Sequence, residues 1–275
     1  MKKLPVGYQM YSAREEAQKD LRAVCHALKA MGYDGVEFAG LYGHSPEYVK
    51  GVCDALGLVP ISAHIPLADM LADPDKTFSD YAEIGCRFAA VPYVTEERRP
   101  GAPLFEQTIE DIKKLGACAK KYGITLLYHN HDFEFKKIGD KYGLDVLYES
   151  VSPDLLQTEL DTCWVNVGGE EPAPFIEKYA GRAPVVHLKD FFMSGKLPEH
   201  LYALIGLDDD KKDDEPSTFE FRPVGHGMQN MPAILEASEK AGAEWVVVEQ
   251  DEPSMGLSRL ESVKASIEYL KSIGW

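Results

Sequence analysis

The feature that most constrains this chain is an eightfold alternation of short apolar runs with helical or loop stretches. The runs cover residues 6–12, 35–38, 60–65, 88–93, 124–129, 156–160, 185–188 and 245–249. Most are rich in β-branched or aromatic residues, as strands covered on both faces are. Helical patterns fall between them at 17–31, 45–56, 105–122, 173–179, 231–241 and 257–273. Several of these end at a glycine suited to a left-handed cap: Gly32, Gly57, Gly123, Gly242 and Gly274. Strand, helix, glycine and strand again is the grammar of a parallel sheet. Eight such units in 275 residues favour a closed (β/α)8 TIM barrel over an open doubly wound sheet. An open dinucleotide-binding sheet would carry Gly-x-Gly-x-x-Gly after its first strand. Here that strand runs out as Gln9-Met10-Tyr11-Ser12-Ala13-Arg14. The expectation is an α/β fold, one barrel domain over 1–275, with a polar, acidic insertion at 193–218 after the seventh strand that reads as a lid-like excursion over the mouth.

Charge narrows the partners. Lysine and arginine number 29 against 45 acids, a formal net charge of −16. Such a surface repels a phosphate backbone, and no basic patch offsets it, so nucleic acid is not an expected partner. The five cysteines are scattered and include no CxxC pair, which argues against a disulfide framework or a cysteine zinc knuckle. No apolar run is long enough to cross a bilayer and no signal core opens the chain, so a cytoplasmic protein without membrane contact is expected. Barrel helices exposed to solvent leave room for a homo-oligomer.

In a barrel, chemistry sits at the C-terminal ends of the strands. Those ends are unusually polar here. The second strand ends on Glu37, the third on His64, and the fifth in Tyr128-His129-Asn130-His131-Asp132-Phe133-Glu134. The sixth ends Glu159-Leu160-Asp161, the seventh His187-Leu188-Lys189-Asp190, and the eighth Glu249-Gln250-Asp251. Carboxylates brought together out of water need a cation. A ligand set of imidazole and carboxylate without thiolate suits one divalent metal ion: Mn2+, Mg2+, Co2+ or Zn2+. The candidate metal ligands are Asp161, His187 and Glu249, with Glu134 as the fourth or a fifth-strand histidine in its place. Each has a plainer reading. Asp161 could cap the turn before Trp164, Glu37 could pair with a basic neighbour, and Glu159 reads as a supporting salt-bridge residue. The joint placement at successive strand ends favours function.

These motifs, with Gly35-Val36-Glu37 and Pro223-Val224-Gly225-His226-Gly227, resemble the xylose isomerase-like barrel superfamily and, within it, the sugar phosphate isomerase/epimerase group. The resemblance implies one divalent ion held by a Glu, an Asp, a His and a Glu. Asp161, His187 and Glu249 match three of these. Ketose 3-epimerases of the group place a glutamate directly at the fifth strand end, where it binds metal and moves a proton. This chain has Tyr128-His129-Asn130-His131 there, which is similar to inosose dehydratases and to lyases of 3-keto-glycosides.

The expected chemistry is isomerisation or epimerisation of a sugar or sugar phosphate through an enediolate, with metal chelating a ketone and its neighbouring hydroxyl. The alternative is elimination from a keto-sugar, an inosose or a 3-keto-glycoside. His131 or His129 is the candidate base and Glu249 a second acid/base. Glu37, His64, Lys189 and Trp164 are the candidate substrate contacts, with Phe38 and Tyr11 as apolar wall; Lys189 has a rim salt bridge to Asp190 as its plainer role. Gly225-His226-Gly227 could offer backbone N–H groups to a phosphate. Two rivals are an apurinic endonuclease on the same barrel, which the charge opposes, and a non-catalytic sugar-binding barrel.

Overall fold

The computed structural model describes residues 3–195 and 218–275, and in it the eight runs close into a parallel barrel. In chain order the barrel strands are Val6–Gln9, Gly35–Ala39, Val59–His64, Phe88–Val91, Thr125–His129, Gln157–Asp161, Val185–Leu188 and Trp245–Val248. The first closes the ring, with Gly7 opposite Gly35 on one side and Val247 on the other. A Cβ at Gly7 or Gly35 would run into the Ile61 side chain, so the missing side chains are what let the first two strands come this close to the third.

The barrel floor is apolar. Ile61, Phe88, Ala90, Leu127, Val185 and Val247 form a buried cluster of their own. Leu127, Val185 and Val247 each precede a polar residue by two positions: His129, His187 and Glu249. A strand repeats its face every second residue, so one inward face carries an apolar floor and then a polar tier at the C-terminal rim. A larger core fills the space between strands and helices, where Leu21, Val24 and Leu28 of the helix Arg14–Met31 are buried. Each such side chain stabilises by about 1.5–3 kcal/mol.

Helix ends follow local chemistry. Gly32, Gly57 and Gly242 cap their helices in the left-handed region, as expected, and Gly85 does so as well. Ser258 and Glu261 form a capping box at the start of the last helix, Arg259–Ser272. Some strand ends move. The first strand stops at Gln9, three residues early, because the Gln9 side chain accepts from Tyr11 N and turns Met10–Ala13 into a 3-10 turn. The fourth stops before Pro92, which has no N–H to extend the ladder. The helices Leu67–Ala72, Pro74–Ile84, Gly143–Ser150 and Thr162–Val167 are additions to the expected set.

After the seventh strand the chain rises as Asp190–Ser194 and returns antiparallel as Thr218–Arg222, with Phe191 opposite Phe221 and Ser194 opposite Thr218. The excursion is thus rooted three residues earlier than residue 193. Phe191, Phe219 and Phe221 pack with Cys163 and Trp164 in a separate small core. The rest of the expected insertion, 196–217, lies outside the described residues. All five cysteines are buried and unpaired. Among the described residues, no helix is long and apolar enough to cross a membrane.

Candidate metal centre

The inward tier brings ligand types from four neighbouring strands to one point. His129, Asp161, His187 and Glu249 each offer an atom within 4.8 Å of the other three, and all four are buried. His129 and Asp161 are the last residues of the fifth and sixth strands, and Asp161 stands in register with His187. Glu249 follows directly on the eighth strand. The spacings are those of a coordination shell. His129 Nε2 lies 3.4 Å from Asp161 Oδ2 and 3.6 Å from Glu249 Oε2, and His187 Nδ1 lies 3.1 Å from Glu249 Oε2. Ligands about 2.1 Å from one ion stand roughly 3.0–3.5 Å apart, whatever its geometry between octahedral and tetrahedral. Two further marks fit a cation: His129 Nε2 and Asp161 Oδ2 are buried and neither has a hydrogen-bond partner.

Asp161 does both things its position allows. Its Oδ1 accepts from Trp164 N at 3.0 Å and caps the helix Thr162–Val167, which leaves Oδ2 for the cluster. The main chain before it is pinned, since Asn130 Oδ1 accepts from Asp161 N.

Below this tier lies a second group, Glu37, His64, Glu159 and His187. Its shortest contacts are hydrogen bonds, while His64 Nε2 to Glu37 Oε1 and His187 Nε2 to Glu159 Oε1 are longer, at 3.3 and 3.4 Å. His187 Nε2 is 2.8 Å from Glu37 Oε1, and His64 Nε2 is 2.6 Å from Glu159 Oε2. Glu37 also accepts from Gln9 Nε2 at 2.6 Å and from the Ser62 hydroxyl. His187 therefore turns Nδ1 to the upper tier and Nε2 to a carboxylate, the arrangement that fixes the ring of a metal-binding histidine. Burial and the neighbouring Glu159 raise the Glu37 carboxyl above its ordinary range. His187 and His64, against burial, hold Glu159 well below it. Despite burial, the Asp161 and Glu249 carboxylates lift His129 to about 9, and Glu159, Glu37 and Glu249 raise His187 well above the usual imidazole value. Protons thus stand where a cation would otherwise balance the acids.

Lys189 completes the charge balance. It is buried, with Nζ 2.5 Å from Asp251 Oδ2, 3.1 Å from Glu249 Oε2 and 3.7 Å from Asp161 Oδ2. The expected partner Asp190 points the other way, because successive residues of extended chain face opposite sides.

A cavity of about 440 Å³ opens above the tier. His64, His129, His131, Lys189, Glu249 and Asp251 line its floor and side, and Tyr11, Pro66, Pro92 and Tyr93 give it apolar wall. His131 stacks on Phe133 with the rings 4° from parallel and rests near Trp164. Burial, together with the nearby His129, holds its imidazole well below the usual value, so the ring is neutral.

Three expectations are corrected here. Glu134 does not reach the cluster. The 3-10 turn Phe133–Phe135 folds it back, and its oxygens accept from Tyr128 Oη at 2.6 Å and His131 N at 2.8 Å. His129, expected as a base or as the alternative fourth ligand, stands in the cluster where Glu134 does not reach. Glu37, Trp164 and Phe38 do not wall the cavity: Glu37 lies beneath His187, Trp164 lies behind His131, and Phe38 belongs to the outer core. Asp251 and Gln9 were missed as site residues. Asp251 had a signal, the two-residue step from Glu249 that keeps it on the same side.

A family model of the xylose isomerase-like TIM barrel matches residues 25–273. The chain belongs to this family. Among curated relatives, inosose dehydratase of Lacticaseibacillus casei is 22% identical over 270 residues, covering 87% of this chain and 85% of that one. Inosose dehydratase of Geobacillus kaustophilus is 24% identical over 189 residues, and the match spans only 61% of the length of either protein. Among solved structures, a sugar phosphate isomerase/epimerase from Parabacteroides distasonis superposes with a TM-score of 0.75 at 23% identity, covering 100% of this chain and 96% of that one. The IolI protein with a binding zinc atom gives 0.68 at 16% identity, covering 98% of each.

Proposed function

We propose that this chain is a divalent-metal-dependent enzyme that removes a proton beside the carbonyl of a keto-sugar or inosose and then expels the β-oxygen, as a dehydratase or lyase. The observation that carries the reading is His129 at the end of the fifth strand, in the ligand position and with its Nε2 turned to Asp161 and Glu249. An epimerase of the resembling group would use a glutamate there to return a proton. An imidazole committed to metal cannot do so, which favours elimination over the isomerisation or epimerisation first expected. The inosose dehydratase relatives support elimination, and the zinc bound to the IolI protein supports a divalent ion.

His129, Asp161, His187 and Glu249 would hold the ion. When bound, it would polarise a ketone oxygen and make the adjacent C–H more acidic. His131 is the group placed to take that proton, as a neutral ring on the cavity wall held by Phe133 and Trp164. Lys189 and Asp251, on the same wall, are within reach of substrate hydroxyls.

The test is incubation of Mn2+-loaded protein with a keto-inositol in D2O. Loss of one water, seen by mass spectrometry together with enone absorbance, supports elimination. Deuterium uptake at unchanged composition would return the reading to an isomerase or epimerase, and neither result would sink the sugar reading. His131→Ala should keep its metal and lose turnover by about 10²–10⁴-fold; undiminished turnover would remove His131 as the base.

A further inference from the structure

We infer that the substrate of this site is uncharged, a keto-sugar or cyclic keto-polyol without a phosphate or carboxylate group; the inference rests on the proposed sugar reading. Barrels of this kind often hold phosphate on backbone N–H groups at the seventh-strand rim. In this chain that cradle exists, and it is filled from within. The Asp190 carboxylate accepts from Gly225 N and Gly227 N at 2.9 Å through Oδ2, and from Phe191 N at 2.9 Å and Gln229 N at 3.2 Å through Oδ1. These are the donors that the Gly225-His226-Gly227 motif offered to a phosphate. Space is closed as well as donors, since a Cβ on Gly227 would collide with Asp190 Oδ1 and Phe191 O. Asp190 is buried, so a ligand anion would have to displace a carboxylate that is part of the fold.

The rest of the cavity offers a phosphate little. Lys189 is the one lysine or arginine lining it among the described residues, and its ammonium is already shared by Asp251, Glu249 and Asp161. Two arginines near the rim, Arg14 and Arg99, are also engaged. Arg14 pairs with Glu252, and Arg99 donates to Tyr93 Oη and lies over the Phe133 ring. Asp69 adds a further acid to the wall. Apart from the ion this site would hold, a dianion entering the mouth meets acids and no unpaired lysine or arginine among the described lining residues, whereas neutral hydroxyls find both donors and acceptors.

Two measurements on the full chain test this, the first without metal, so that phosphate cannot bind the ion itself, and the second loaded with Mn2+. The first does not depend on the sugar: thermal stability in millimolar inorganic phosphate against chloride at matched ionic strength. No saturable stabilisation by phosphate is expected, and a saturable rise in Tm would overturn the inference. The second compares fructose with fructose 6-phosphate as ligands. The ester is expected to bind about tenfold more weakly or worse, with the gap narrowing as salt is added. Equal or tighter binding of the ester would also overturn it. If neither sugar binds, the sugar reading fails, while the phosphate titration still shows whether the cradle is closed to an anion.

Discussion

His129 Nε2 and Asp161 Oδ2 face each other across 3.4 Å, and neither atom has a hydrogen-bond partner. Two buried polar atoms left at this distance gain less than a full hydrogen bond unless something sits between them. Asp161→Asn isolates that role, because the amide oxygen can still cap Trp164 N while an NH2 group replaces the ligand oxygen. The variant should fold and lose its metal. Plasma mass spectrometry after dialysis should find about one divalent ion per wild-type chain and almost none in Asp161→Asn, Glu249→Gln or His129→Ala. Full occupancy in any of the three would remove that residue from the ligand set.

The carboxylate behind His187 makes a separate prediction. Glu37→Gln keeps all four ligands and changes only the partner of His187 Nε2. Metal affinity should fall about 10–100-fold, as it does when a carboxylate orienting a ligand histidine is removed. Competition with a chelator reads this directly, and unchanged affinity would make Glu37 a structural residue alone.

Lys189 should behave as a counterion for an empty centre. Lys189→Met leaves Asp251, Glu249 and Asp161 without their shared ammonium, and breaking such a buried pair costs about 3–5 kcal/mol. Unfolding of the metal-free variant should begin at markedly lower denaturant than wild type. Mn2+ should then recover more stability in the variant than in wild type, because the ion relieves the same repulsion. Equal stability of the two metal-free proteins would refute the idea.

Glu134 supplies a pH dependence. Burial, opposed by Tyr128 Oη and His131 N, raises its carboxyl to about 7. The unfolded chain ionises it near its ordinary value of about 4.5, so the folded state holds the proton more tightly. Its contribution is complete below about pH 4.5 and is lost as pH climbs to about 7, a change of about 3 kcal/mol. Glu134→Gln should therefore lose less stability than wild type between pH 5 and pH 8 in urea titrations. Parallel losses would assign the dependence to other groups.

The barrel and three of the four residues that cluster at its mouth were legible because both depend on strand period and strand ends. Asp161, His187 and Glu249 each close a strand or stand within a residue of its end, and a two-residue repeat decides which way they face. Glu134 misled for a physical reason: no spacing rule shows that Phe133–Phe135 turns back and hands its carboxylate to Tyr128. His129 was visible but took another role, since a histidine at a strand end reads equally as base or ligand until its neighbours are placed. The Gly225-His226-Gly227 motif was seen as a cradle, yet its occupant lies 35 residues upstream of Gly225. That partner is a tertiary fact.

The paired roots of the excursion have a consequence for engineering. Ser194 and Thr218 are cross-strand partners, so a two-residue turn could join them and dispense with everything between. The Phe191, Phe219 and Phe221 packing on Trp164 would stay, and so would the Asp190 anchor beneath it. The ladder between the roots thus sets their spacing whatever length of chain joins them.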